Sequence, residues 1–270
     1  METRRFRPRL IEVVVVLAGI LVAVYAAYVI RNVGATTPDD GASPPAPVET
    51  ISESPSPTTP KPTAPPRPAE LRASFADART VLVVGDSTGD STGEWVDLWA
   101  KDLAQDREVR LRQWDLGAPG FSADPVVSGN GRPPMEIWNL SYPGVAADYA
   151  PKLADVATKP DVAIISIGHD RSRQAIRRAI RTTTAAIETR WGDVPTAWVL
   201  QNPSTEPSAQ AQEQAVNLVR SLAVTEQVPV IDVHAQFLRA DDLQALLVDD
   251  SLPNDAGSRI WADTVQRILG

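Results

Sequence analysis

The chain has no cysteine, and among its 270 residues only two are histidine. The first absence excludes a disulfide-stapled fold and any cysteine-ligated metal site. The second confines histidine chemistry to His169 and His234. Neither sits in a metal-ligand spacing, so no metal or other cofactor is expected. Positive charge is also short: 26 Lys and Arg stand against 34 Asp and Glu, a formal net charge of -8. That balance excludes a general nucleic-acid surface.

What is present divides the chain by composition. Arg4, Arg5, Arg7 and Arg9 precede Val13 to Ile30, a stretch without a charged residue. As a helix it would span about 27 Å at roughly 1.5 Å per residue, close to the hydrocarbon thickness of a bilayer. The apolar core of a cleavable signal peptide is shorter, about 7–15 residues. Residues 13–30 therefore read as a retained transmembrane signal-anchor. The arginines hold residues 1–12 in the cytoplasm and leave the rest outside the cell membrane. Residues 31–73 are rich in Pro, Ser and Thr, as in Pro44-Pro45-Ala46-Pro47 and Pro65-Pro66-Arg67-Pro68. They read as a disordered, partly polyproline spacer. Residues 74–270 are enough chain to bury a core without disulfides.

In that region apolar runs alternate with helical periodicity. Strands are expected at Val81–Val84, Val109–Trp114, Ile137–Leu140, Val162–Ile167, Ala197–Leu200 and Val228–Val233. Helices are expected at Glu94–Gln105, Asp148–Ala157, Arg173–Arg190, Ala209–Leu222, Leu238–Leu247 and Ala256–Leu269. Gly117–Pro134 reads as loop. The alternation predicts a mostly parallel sheet covered on both faces. The seven tryptophans fall mainly within these patterns and are expected in the core. Arg171, Arg173, Arg177, Arg178 and Arg181 read as a solvated helix face.

Four stretches carry chemistry, the first three of them at predicted strand ends. The first strand stops at Gly85-Asp86-Ser87, which puts a serine where open α/β sheets place their active sites. A second Gly-Asp-Ser follows at Gly89-Asp90-Ser91. Next come Asn139-Leu140-Ser141-Tyr142-Pro143-Gly144 and Gly168-His169-Asp170. The last is Asp249-Asp250-Ser251-Leu252-Pro253-Asn254.

In this order the stretches resemble the blocks of the SGNH/GDSL hydrolase superfamily, over about 74–270. They look most like its exported, membrane-tethered actinobacterial branch. The resemblance implies a flavodoxin-like three-layer α/β/α sandwich with a five-stranded parallel sheet. It implies ester hydrolysis or acyl transfer, often on carbohydrate or lipid esters. It places Ser87 as nucleophile, with the N–H groups of Ser87 and Gly144 at the oxyanion. Asp170 stands at the family's oxyanion asparagine, and Asp249 or Asp250 at the acid that orients the base.

Two positions depart from that pattern. The family's asparagine donates a hydrogen bond worth about 2.7–4 kcal/mol in an oxyanion hole. An ionised Asp170 accepts only, and it repels the oxyanion. The family's last block reads Asp-x-x-His-Pro-Asn. Here either Asp249 aligns and Leu252 replaces the histidine, or Asp250 aligns and the histidine is deleted. A serine hydroxyl without a base is a poor nucleophile. His169 and His234 are the candidate substitute bases. The expectation is a degenerate acyl-ester hydrolase that keeps a cleft for cell-envelope esters or glycans. The alternatives are an active serine esterase or acyltransferase with a non-standard base, and a structural or partner-binding module.

Overall fold

The computed structural model describes residues 69–143, 148–169 and 172–270. The expected anchor, most of the spacer, Gly144 and Asp170 lie outside these residues. Among the described residues no helix is long and apolar enough to cross a membrane.

The sheet runs β3-β2-β5-β1-β6-β7-β8. Its strands are β1 (Thr80–Gly85), β2 (Val109–Asp115), β3 (Gly120–Phe121), β4 (Val126–Ser128), β5 (Met135–Ser141), β6 (Val162–Ser166), β7 (Thr196–Leu200) and β8 (Val230–Asp232). Every pairing from β2 across to β8 is parallel. The parallel part thus holds β2, β5, β1, β6, β7 and β8, one strand more than the expected five. The segment expected as loop, Gly117–Pro134, instead contributes β3 and β4, which add antiparallel to the outer side of β2.

Parallel strands buried on both faces carry continuous apolar runs. In β1, Val81 and Val83 face one layer and Leu82 and Val84 the other, as the two-residue period requires. The first layer contains α1 (Ala69–Ala76), α2 (Trp95–Leu103) and α6 (Asp255–Leu269). Its centre is aromatic, with Trp95 stacked on Trp261 at 5.5 Å and Phe75 on Trp99 at 5.6 Å. The second layer contains α3 (Arg173–Trp191) and α4 (Ala209–Glu226), whose Ile176, Ile180, Val216 and Val219 cover the opposite face.

Ordered structure begins earlier than the composition indicates. Helix α1 takes in Ala69–Ala73 of the expected spacer because Leu71 and Phe75, four apart, bury on the same side. Arg72 then donates to the carbonyls of Arg267 and Ile268, satisfying the open end of α6. Two expected helices are mostly not formed. Asp148–Ala157 yields only a 3-10 turn over Pro151–Asp155. Leu238–Leu247 yields the short α5 (His234–Phe237) just before it and a 3-10 turn at Gln244–Leu246. Asp242 takes the Gln244 N–H at 3.0 Å, a local side-chain bond that competes with helix propagation.

Candidate active site

The loop between β1 and α2 holds both Gly-Asp-Ser triplets at the carboxyl end of the sheet. Gly85 packs so tightly against β5 that a Cβ there would lie 2.6 Å from Ser141 Oγ. Asp86 is 2 % exposed and is surrounded by donors. Its Oδ2 accepts from the N–H groups of Gly168 and His169 at 2.9 and 3.1 Å and from Gln201 Nε2 at 2.9 Å. Its Oδ1 accepts from the N–H and hydroxyl of Thr88 at 3.3 and 3.0 Å. The carboxylate therefore locks the first block to the third. Asn139, fully buried, does the same from β5: its amide donates to Gly89 O at 2.7 Å and its Oδ1 accepts from Ser141 Oγ at 2.6 Å.

Ser87 is half-buried at the tip of this clamp. Its hydroxyl makes no hydrogen bond to any described residue. Neither candidate base, His169 or His234, hydrogen-bonds it. His169 Nε2 lies 3.1 Å from Asn202 Oδ1, which also receives Trp261 Nε1 at 3.2 Å. Asn202 Nδ2 donates to Pro203 O and Ser251 O, both at 2.9 Å, so its Oδ1 must be the acceptor. That fixes His169 as the Nε2–H tautomer. His169 thus orients Asn202, which grips the last block at Ser251. His234 is buried at the start of α5, with Nε2 3.0 Å from Glu213 Oε2 on α4. Three inter-strand steps separate β8 from β1, about 14 Å at roughly 4.8 Å each, which puts His234 out of reach of Ser87.

The acids of the last block hold backbone. Asp249 Oδ1 accepts from the N–H groups of Ser251 and Leu252, both at 2.7 Å. The Leu252 bond is the main reason its carboxyl sits below the ordinary range, and the Ser251 bond adds to the effect. Asp250 accepts from Ser208 Oγ, and its carbonyl takes the Thr205 N–H at 2.8 Å. Asn254 caps α6 through the N–H groups of Ala256 and Gly257 at 3.0 and 3.1 Å.

A cleft of about 590 Å³ opens beside the clamp, lined by Asp90, Ser91, Trp114 and Tyr142 among others. Ser91 is exposed, and its hydroxyl donates to Asp90 Oδ1 at 2.9 Å. Its N–H donates to Glu94 Oε2 at 2.8 Å. Burial pushes the Glu94 carboxyl up to about 7, the Ser91 N–H opposes the rise, and the charge of Asp90 adds to it. Burial likewise raises Asp90. The Ser91-x-x-Glu94 spacing is a helix-start signature, and it was the available signal for this pair. Gln201, Asn202 and Gln212 gave no such signal, because a lone amide after an apolar strand has no characteristic spacing.

A scan against protein-family models finds no match, and a search of the curated proteins finds none either. Solved structures do match. A lipase/acylhydrolase from Enterococcus faecalis aligns with TM-score 0.51 and 16% identity, covering 70% of this chain and 94% of that one. A variant of an acetyl xylan esterase from Geobacillus stearothermophilus aligns with TM-score 0.51 and 16% identity, covering 71% and 94%. This chain shares the fold of these two structures. At these identities the likeness extends to the fold alone, and the chemistry has to be argued from the residues.

Proposed function

We propose that this is a membrane-anchored, extracytoplasmic SGNH/GDSL-like domain that binds cell-envelope esters or glycans and has lost turnover through Ser87. The observation that carries the reading is that neither imidazole serves Ser87. His169 points its Nε2–H at Asn202, and His234 lies against Glu213 beyond β7. Leu252, at the aligned base position, has no group that can take a proton. Asp249, the orienting acid in one alignment, holds the turn through Ser251 and Leu252. The charge-free Val13–Ile30 stretch and the arginines before it support the anchor and its orientation.

The test is repair. At pH 8 the full chain should leave Ser87 unlabelled by a fluorophosphonate probe. The double variant Asp170→Asn with Leu252→His restores an amide donor and an imidazole. It should hydrolyse 4-nitrophenyl acetate at least about 100-fold faster than the parent, since one base contributes about 10²–10⁴. Adding Ser87→Ala should abolish the gain. Labelling of Ser87 in the parent, with activity lost in Ser87→Ala, would overturn the proposal.

A further inference from the structure

The serine hydroxyl of this loop that does have a carboxylate partner belongs to the second Gly-Asp-Ser. Ser91 Oγ donates to Asp90 Oδ1 at 2.9 Å, and both residues line the 590 Å³ cleft. Behind them Glu94 takes the Ser91 N–H at 2.8 Å. The loop is pinned from β5 and β2: Asn139 holds Gly89 O, and Gln113 Nε2 donates to Asp90 O at 2.5 Å. The cleft also holds an unused donor. Trp114 lines it at 6 % exposure, and its indole N–H has no acceptor among the described residues. The described residues contain no group of three or more His, Cys, Asp and Glu placed to hold a metal ion.

We infer that Ser91, Asp90 and Glu94 form a histidine-independent nucleophilic site that acts on an acyl ester seated in this cleft. The inference rests on the reading that the cleft accepts esters, but not on the fate of Ser87. Ser91 Oγ attacks the acyl carbon while its proton passes to Asp90 Oδ1. The tetrahedral adduct collapses, and the departing alkoxide takes that proton and leaves as the alcohol. Water then gives a proton to Asp90 and attacks the acyl-Ser91 carbonyl. Ser91 leaves with the proton returned to its oxygen, and the carboxylic acid is released. Glu94, in its neutral form, donates to Asp90 throughout and keeps the two carboxyls from sharing two negative charges.

This arrangement carries its own pH dependence. Asp90 must be ionised and Glu94 protonated, so the active form exists below about pH 7. The charged groups around the pair are Asp86 in the same loop, Asp97 on α2 with its partner Lys101, and Asp115 at the end of β2. Asp255, at the start of α6, lines the neighbouring cavity with Glu94. Lys152 lies 5.8 Å from the Trp114 ring.

The experiment uses the full chain with 4-nitrophenyl acetate between pH 5 and 8, and a fluorophosphonate probe mapped by peptide mass spectrometry. The expected label is on Ser91 at pH 5.5–6. Ser91→Ala and Asp90→Asn should each cut the rate at least about tenfold, and Ser87→Ala should leave it unchanged. The rate should fall as pH rises through about 7, and Glu94→Gln, a permanently neutral donor, should remove that alkaline limb. Ser91 unlabelled, or a rate indifferent to Ser91→Ala in a variant with native circular dichroism, would overturn the inference. Labelling at Ser87 instead would defeat the preceding proposal as well, so the two failures are distinguishable.

Discussion

Asp86→Asn would place an amide NH₂ in a pocket built of donors. Asp86 Oδ2 receives three hydrogen bonds, from Gly168 N, His169 N and Gln201 Nε2, and Oδ1 receives two from Thr88. At 2 % exposure, water cannot replace them. One orientation of the amide sets its NH₂ against the two Thr88 donors and the other against the remaining three, so at least two hydrogen bonds are lost. Hydrogen bonds to a charged acceptor contribute about 1.5–3 kcal/mol each, so losing two costs about 3–6 kcal/mol. With a urea slope of about 2 kcal/mol/M, the unfolding midpoint of the full chain should fall by about 1.5–3 M. Asp90→Asn, at the homologous position of the second triplet, is the control. Asp90 is half-buried and accepts the Ser91 hydroxyl, so its replacement should cost less than about 1 kcal/mol. Equal shifts for the two variants would refute the clamp, as would a shift below about 0.5 M for Asp86→Asn.

Glu94 should make stability pH-dependent. Its folded value of about 7 lies above the ordinary 4.5, so its contribution is full below 4.5 and lost as pH rises through 7. Discounted for partial solvent exposure, the loss is about 1–2 kcal/mol. Glu94→Gln keeps an acceptor for the Ser91 N–H, so its urea midpoint should change less between pH 5 and 8 than the parent's; parallel changes would refute the assignment. Gly129→Ala should destabilise by about 2–4 kcal/mol, from αL strain plus overpacking. Gly129 has φ +72°, and a Cβ there would lie 2.3 Å from the carbonyl oxygens of Ala104 and Arg107. An unfolding midpoint within error of the parent would contradict that crowding.

The elements readable in advance were those whose burial is periodic or continuous. β1, β6 and β7 are unbroken apolar runs, and α2, α3, α4 and α6 place buried residues at helical spacing. The misread elements depend on distant contacts. β3 and β4 are two and three residues long and exist because β2 offers an open edge. Helix α1 follows a run of prolines and has only Leu71 and Phe75 to bury, and both are anchored by α2 and α6. In the site, the absence of a histidine in the last block was visible from residue types alone. The tautomer of His169 was not, because Asn202 and Trp261 set it from 33 and 92 positions further along the chain.

The same geometry separates what the Gly-Asp-Ser motif does for the fold from what it does for chemistry. Gly85 is required because Ser141 Oγ and the Ser166 carbonyl leave no room for a Cβ. Asp86 is required because five donors converge on it. Both demands hold whether or not a substrate is ever turned over, so Gly85-Asp86 at the end of β1 is no evidence of a working nucleophile. Only the third residue of the triplet bears on reactivity, and there the two copies differ. Ser87 has the clamp without a proton acceptor, and Ser91 has the acceptor outside the clamp. A motif read as one unit is, in this chain, a packing requirement at its first copy and a chemical opportunity at its second.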